Sequence, residues 1–158
     1  MKISSHLRKL LVLFIVSSLS LTVMNCSKST DDSPSAQIVG TWKISNLYAK
    51  EGTKAEIDQL PLLATFLPCI KDISFTFKSN GELTGSIPDA CKSEVEDYVG
   101  IAATSKYEVK DEKLTITDTD GSQTIVDLSF SGKSQMTWST SETKAGITTT
   151  TRFVFAKQ

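Results

Sequence analysis

The chain has 158 residues, 39% of them hydrophobic and 22% charged, which is enough for one folded domain and too few for two. Its formal net charge is −1. The first 25 residues hold three of the 17 basic side chains and no acidic ones, so the rest of the chain has 14 basic and 18 acidic residues and a charge of −4. This acidic balance argues against nucleic acid as a partner, because phosphate binding needs a basic surface.

The N-terminus has the pattern of an export signal. Three basic residues precede a continuous apolar run at residues 10–16, which is too short to span a bilayer core that needs about 20 apolar residues. Cys26 then stands at a position that resembles the lipobox of bacterial lipoproteins, where the thiol receives diacylglycerol before cleavage, although Met24 and Asn25 replace the usual small residues. We predict a lipoprotein signal peptide at residues 1–25 and lipidation of Cys26; the alternative is an ordinary secreted protein with a free Cys26.

A polar segment follows the predicted anchor. Residues 26–36 are rich in Ser, Thr and Asp, which is typical of a flexible tether between a lipid anchor and a folded domain at residues 37–158. The acidic pair Asp31-Asp32 resembles the surface-export signal of Bacteroidetes-type lipoproteins. That resemblance implies attachment to the outer membrane, at its periplasmic face or at the cell surface.

The only histidine, His6, lies in the predicted signal peptide. Its removal would leave no imidazole, which excludes Ser–His–Asp and Cys–His nucleophiles and histidine metal ligands. Paired carboxylates could still serve as acid and base, but the acidic residues fall in turn-like stretches. The Asp-x-Asp-Gly of residues 118–121 favours a hairpin turn over a calcium loop, whose remaining ligands are missing. We expect no catalytic residue, metal or cofactor.

From Gly40 onward the apolar residues alternate with a period of two. Ile73, Phe75 and Phe77 share one face of a strand, and Asn80-Gly81 predicts a type I′ turn in which both residues adopt a positive φ. Further strands carry alternating apolar residues, namely Trp42 and Ile44, Tyr107 and Val109, Leu114 and Ile116, Val126, Leu128 and Phe130, and Met136 and Trp138. A threonine-rich strand at residues 148–155 ends the chain. About eight strands joined by short turns predict an all-β, antiparallel up-and-down barrel, because closure removes the exposed edges.

Two segments break this alternation. Residues 54–68 are apolar but irregular around two prolines, which predicts a long loop with a helical turn or two. Apolar residues from Cys91 to Val99 have near-helical spacing, which predicts a short helix. Cys69 and Cys91 form an even pair in an exported chain, which predicts a disulfide. The bridge would hold the two segments together at one end of the barrel.

The ordered motifs resemble a known family. Gly40-Thr41-Trp42 is similar to the Gly-x-Trp opening of lipocalins, and small lipocalin-like domains of Bacteroidetes-type lipoproteins share the later motifs over residues 37–158: Cys69-Ile70-Lys71-Asp72, Phe75-Thr76-Phe77, Asn80-Gly81 and Cys91. The resemblance implies that Trp42 packs at the closed base of the barrel and that a basic residue of the last strand lies over it, for which Arg152 is the candidate. The alternative is a solvated Arg152 on the outer face.

Two functions fit this architecture. Eight-stranded barrels can hold a small apolar ligand, so the first hypothesis is a membrane-anchored binder or carrier of a hydrophobic molecule. Its site would be lined by Phe75, Phe77, Tyr107, Phe130, Met136, Trp138 and Phe153. The second is a non-catalytic surface scaffold in which these side chains fill a solid core and the loops, above all residues 54–68, bind a protein or a glycan.

Overall fold

The computed structural model of the chain describes residues 32–92 and 104–158. The predicted signal peptide and Cys26 lie outside these residues. The predicted helix from Cys91 to Val99 lies outside them too, except for Cys91 and Lys92. None of the helices in the two described ranges has the length and apolar character that crossing a membrane requires.

The described residues form nine strands and four short helical segments. The strands are β1 (Gly40–Glu51), β2 (Ile57–Asp58), β3 (Ser74–Phe77), β4 (Glu82–Ser86), β5 (Thr104–Lys110), β6 (Lys113–Thr117), β7 (Gln123–Ser131), β8 (Gln135–Lys144) and β9 (Ile147–Lys157). The α-helices are α1 (Pro34–Gln37) and α2 (Leu60–Phe66), and two 3₁₀ helices span Pro68–Asp72 and Asp89–Cys91. Helix α1 begins within the segment that the sequence predicts as a flexible tether, and the side chain of Ser33 caps it by accepting from the Ala36 N–H at 3.3 Å.

Closure comes from the long first strand. β1 pairs with β3 along residues 40–43 and with β9 along residues 42–51, both antiparallel, and every other strand from β3 to β9 pairs with its neighbours in the chain. Eight strands therefore close into an up-and-down barrel, as predicted, and β2 adds to the far end of β1. We call the end that holds Gly40, the end of β9 and the β7–β8 turn the base, and the opposite end, with the β8–β9 turn, the mouth.

Alternation along each strand builds the core. Val126 and Leu128 on β7 and Met136 and Trp138 on β8 are all buried, and Leu128 lies opposite Trp138 in the ladder, as the period-two pattern predicts. Removing such side chains from water contributes about 1.5–3 kcal/mol each. The barrel is therefore held together mainly by the apolar face that the sequence pattern marks.

The predicted type I′ turn at Asn80-Gly81 is wrong. Only Gly81 has a positive φ (+82°), and its N–H donates to the Lys78 carbonyl at 3.0 Å, while Lys78 N–H donates to the Glu82 carbonyl at 2.8 Å. Three residues thus separate the paired ends of the hairpin. A three-residue loop of this kind needs one residue in the left-handed conformation, whereas a two-residue type I′ loop needs two. Two consecutive positive φ values occur instead at Asp111 (+49°) and Glu112 (+59°), between β5 and β6.

A β-bulge in β1 sets which side chains enter the barrel. The register with β9 passes from Ile44 opposite Phe155 to Asn46 opposite Val154, so Ser45 is the extra residue, and its hydroxyl donates to the Val154 carbonyl at 3.1 Å. After the bulge Leu47 lies opposite Phe153. The inward phase of β1 therefore shifts by one residue between its two halves.

Candidate functional site

The interior of the barrel is an aromatic cluster centred on Trp138. Its ring centroid lies 4.4 Å from that of Phe155, 5.7 Å from Phe75 and 5.9 Å from Phe77. The Phe77 ring is edge-on to Trp138, at an interplanar angle of 85°, a favourable arrangement of aromatic quadrupoles. Trp138 itself is only 3% exposed.

The seven predicted lining residues come together in this core. Phe75, Phe77, Met136 and Trp138 are buried, whereas Tyr107, Phe130 and Phe153 are partly buried and pack against them. Whether they line a ligand site stays a prediction. Phe155 belongs to the same cluster and was not predicted, although its position two residues after Phe153 on one strand could have indicated it.

Tyr107 places its polar end at the edge of this cluster. Its ring meets Phe77 edge-on, with centroids 4.9 Å apart, and its hydroxyl donates to the Lys78 carbonyl at 2.7 Å. Burial of the ring raises the pKa of the Tyr107 hydroxyl above its usual value. The phenol therefore stays neutral and satisfied at neutral pH.

The two indole N–H groups of the chain have different surroundings. Trp42 Nε1 donates to the Ile38 carbonyl at 2.6 Å, so its hydrogen bond is made within the protein. Trp138 Nε1 is buried without a hydrogen-bond partner, which costs about 1–3 kcal/mol relative to a satisfied group. Among the described residues the only other buried polar side chain is that of Ser105, whose hydroxyl donates to Asp118.

The base of the barrel is closed around Trp42. Lys157 Nζ lies 5.0 Å from the centroid of the indole ring and donates to the Gln37 carbonyl at 3.1 Å. Gly40, with φ of +132°, lies beside it, and a Cβ there would come within 2.8 Å of Lys157 Cε. The positive φ favours glycine at this position, and the missing side chain leaves room for the lysine, which gives the Gly-x-Trp motif a physical reason.

The assignment of Arg152 to the base is wrong. The antiparallel register of β1 and β9 places Lys157 opposite Trp42 and Arg152 opposite Tyr48, nearer the mouth and on the outer face. The Arg152 guanidinium lies 4.6 Å from the centroid of the Tyr48 ring, and its Nε donates to Glu56 Oε1 at 3.1 Å. Arg152 thus holds the loop before β2 against the barrel wall, and Lys157 makes the cation–π contact at the base.

A family model, described as a lipocalin-like domain, matches residues 38–138, which is more than half of the chain. This chain belongs to the lipocalin-like domain family. No match was found among curated proteins. The match begins at the residue whose carbonyl accepts from Trp42 and extends to Trp138 at the centre of the cluster.

A helical segment covers the mouth of the lipocalin-like barrel. Leu60 on α2 and Ile70 on the following 3₁₀ helix are buried in the main apolar cluster, and the partly buried Leu63 and Leu67 pack against it. The predicted disulfide is confirmed: it joins Cys69 to Cys91 with Cα atoms 6.0 Å apart and links the two 3₁₀ helices. The loop that the sequence marks as irregular is thus a cross-linked cover over the apolar interior.

Asp58 fixes the start of this cover. Its carboxylate accepts from Asn46 Nδ2 at 2.8 Å, from the Leu60 N–H at 3.0 Å and from the Leu47 N–H at 3.2 Å. Burial alone would raise the pKa of Asp58, but these three hydrogen bonds outweigh it and hold the pKa below its usual value. The charged form therefore ties β1, β2 and α2 together.

The same cover presents apolar side chains to solvent. Phe66 is 81% exposed, and Leu62, four residues earlier on α2, and Ile57 on β2 are each 59% exposed. Positions four apart lie on one side of a helix, so Leu62 and Phe66 share its outer face. Residues 54–68 therefore both cover the apolar interior with one set of side chains and present a second set to solvent.

A cleft of about 640 Å³ lies between the β3–β4 turn and the β6–β7 turn. The described residues that line it include Glu82, Lys106 and Asp118, and none of them carries an apolar side chain. Asp118 to Gly121 form the predicted hairpin turn, since the Gly121 N–H donates to the Asp118 carbonyl at 3.0 Å. Within the described part of the chain no three His, Cys, Asp or Glu side chains are grouped to hold a metal ion.

Proposed function

We propose that this chain is a lipid-anchored lipoprotein of the Bacteroidetes type whose lipocalin-like barrel binds or carries a small hydrophobic molecule. The observation that carries the proposal is the closed eight-stranded barrel with an apolar, aromatic inner face under a separate helical cover. The proposed role involves no catalytic step.

The interior is suited to apolar molecules by its chemistry. Each Å² of apolar ligand surface removed from water contributes about 25 cal/mol, so about 300 Å² corresponds to about 7.5 kcal/mol before the costs of binding are subtracted. The partly buried Leu63, Leu67 and Phe153 are the side chains that would move to admit such a molecule, and Met136 has the flexible side chain that best adapts to a new neighbour.

The position of the first described residues bears on which end of the barrel a lipid anchor would hold towards the membrane. Asp32 lies 4.0 Å from Lys133 in the β7–β8 turn at the base, and α1 packs against β5 and β7. Cys26 precedes Asp32 by six positions, and a fully extended segment of that length reaches at most about 20 Å. This reach is shorter than the barrel, because the twelve residues of β1 alone span about 40 Å. A lipid on Cys26 would therefore hold the base towards the membrane and direct the covered mouth away from it.

Fluorescence titration tests the binding function. Purified protein is titrated with long-chain fatty acids, retinoid-like and sterol-like probes, and wild type is compared with Trp138→Phe and Trp42→Phe. Because Trp138 is already shielded from water, we expect a saturable change in its emission from new neighbours of the ring rather than from dehydration. The change should persist in Trp42→Phe and disappear in Trp138→Phe.

The outcome that contradicts binding is the absence of a saturable change with any probe class in protein shown to be folded by circular dichroism. That result would favour a scaffold with a solid core.

Membrane fractionation tests the anchor. Two or three acyl chains, at about 0.8 kcal/mol per buried CH₂, hold a protein firmly at a bilayer, whereas the unmodified domain has no such attachment. We expect Cys26→Ala to move the protein from the membrane fraction to the soluble fraction. Retention of the variant in membranes to the same degree as wild type would refute lipidation at this residue.

The exposed apolar side chains of the cover favour a second candidate, a surface scaffold that binds a protein or glycan partner. Phe66, Leu62 and Ile57 form the part of the described surface on which such a partner would dock. The double variant Leu62→Ser/Phe66→Ser separates the candidates: a scaffold would lose its partner, whereas a binder would keep its saturable change at Trp138.

A further inference from the structure

The unsatisfied indole N–H of Trp138 bears on the chemistry of the ligand. The chain has two tryptophans, and only Trp42 donates to a protein acceptor, the Ile38 carbonyl. Trp138 Nε1 is buried without a partner, and the rings that pack against the indole, those of Phe75, Phe77 and Phe155, offer ring carbons and no lone pair. Buried donors without partners are rare in folded proteins, and each calls for an explanation.

We infer that the ligand of the barrel carries a hydrogen-bond acceptor that takes the N–H of Trp138. The inference rests on the proposed binding function and specifies its ligand class. An acceptor oxygen placed there would satisfy a donor that is buried in the free protein, whereas a pure hydrocarbon would leave it buried and unpaired.

The acceptor is a neutral one. The buried side chains among the described residues include no cation, and the one buried polar side chain, Ser105, already donates to Asp118. Lys157 lies at the base, where its Nζ contacts the Trp42 ring and the Gln37 carbonyl, and Arg152 lies outside, paired with Glu56. A buried carboxylate would therefore lack a counter-charge, which is strongly unfavourable in an apolar interior. The ligand class is an apolar molecule with a ketone, ester or hydroxyl oxygen.

Three probes of equal chain length separate the possibilities: decane, 2-decanone and decanoate. Decane tests apolar binding alone, 2-decanone adds an acceptor without a donor, and decanoate adds a charge. In Trp138→Phe, which keeps an aromatic ring and removes the donor, we expect the affinity for 2-decanone to fall about tenfold, or about 1.4 kcal/mol. The affinity for decane should change less than threefold, and decanoate should bind the wild type more weakly than 2-decanone.

Nuclear magnetic resonance of ¹⁵N-labelled indoles gives a second measurement in the unaltered protein. Saturation with 2-decanone should move the Trp138 indole proton downfield, because it becomes hydrogen-bonded, whereas decane should not. The Trp42 indole is the internal control, since its hydrogen bond to Ile38 is already made. An unchanged Trp42 signal in Trp138→Phe shows that the variant is folded.

The outcomes distinguish this inference from the proposed function. If decane and 2-decanone both bind, and Trp138→Phe weakens them equally or the indole proton does not shift, the barrel is a binder and the inference is overturned. Preferential binding of decanoate also overturns it. If none of the three probes binds the folded protein, the proposed binding function fails, and the inference fails with it.

Discussion

Removing the disulfide should destabilise the domain through its unfolded state. The change is Cys69→Ala together with Cys91→Ala, which opens a loop defined by a sequence separation of 22. The loss of loop closure corresponds to about 3 kcal/mol at 25 °C on the chain-entropy model. A domain of this size has a total stability of about 5–15 kcal/mol, so the melting temperature should fall by about 10–15 °C.

Calorimetry of the oxidised wild type and the double variant measures this effect. Reduction of the wild type should reproduce the fall, and the same reductant should leave the double variant unchanged, which is the matched control. When the unreduced wild type is treated with a thiol-alkylating reagent and the excess reagent is removed, its mass should show no alkyl group on Cys69 or Cys91. A fall of less than about 3 °C would refute the reasoning, because the cross-link would then not restrict the unfolded chain as the chain-entropy model requires.

Two further predictions concern the base and the cover. Lys157→Met should cost about 1 kcal/mol and alter the emission of Trp42, whereas Arg152→Met should leave that emission unchanged; the opposite pattern would contradict the cation–π assignment. Folding lowers the pKa of the Asp58 carboxyl below its unfolded value of about 3.8, so the charged carboxylate stabilises the folded state. This stability is fully present above the unfolded pKa and is lost as the pH falls through the lower pKa of the folded state. Asp58→Asn should therefore cost about 1 kcal/mol at pH 7, and its deficit in urea unfolding should shrink below pH 4; an equal deficit at both pH values would argue against the carboxylate.

The sequence by itself determined the architecture and much of the core. Alternation with a period of two acts within a single strand, so Phe75 and Phe77, or Met136 and Trp138, could be assigned to one face without knowledge of their neighbours. Cysteine pairing was predictable as well, because Cys69 and Cys91 are an even pair in a chain whose N-terminus has the pattern of an export signal. These are local or compositional properties.

Only the tertiary structure decided which charged residue meets Trp42. The choice between Arg152 and Lys157 depends on the register of the first and last strands, whose partners are 98 to 115 positions apart, and a bulge at Ser45 shifts that register midway. No local pattern in β1 or β9 marks the bulge, because Ile44-Ser45-Asn46-Leu47 is compatible with an unbroken strand. The sequence thus singled out Trp42 by its motif, but not the cation that contacts its ring.

The same limit applies to the candidate site and its cover. Leu60 and Leu62 are chemically alike and two positions apart, yet one is buried and the other is 59% exposed, because α2 rests on the barrel with only one side. Likewise folding gives the N–H of Trp42 a partner, the Ile38 carbonyl, and leaves the buried N–H of Trp138 without one. Composition and spacing identify the apolar residues, but packing between distant segments decides which of them stay exposed and which buried donor is left without a partner.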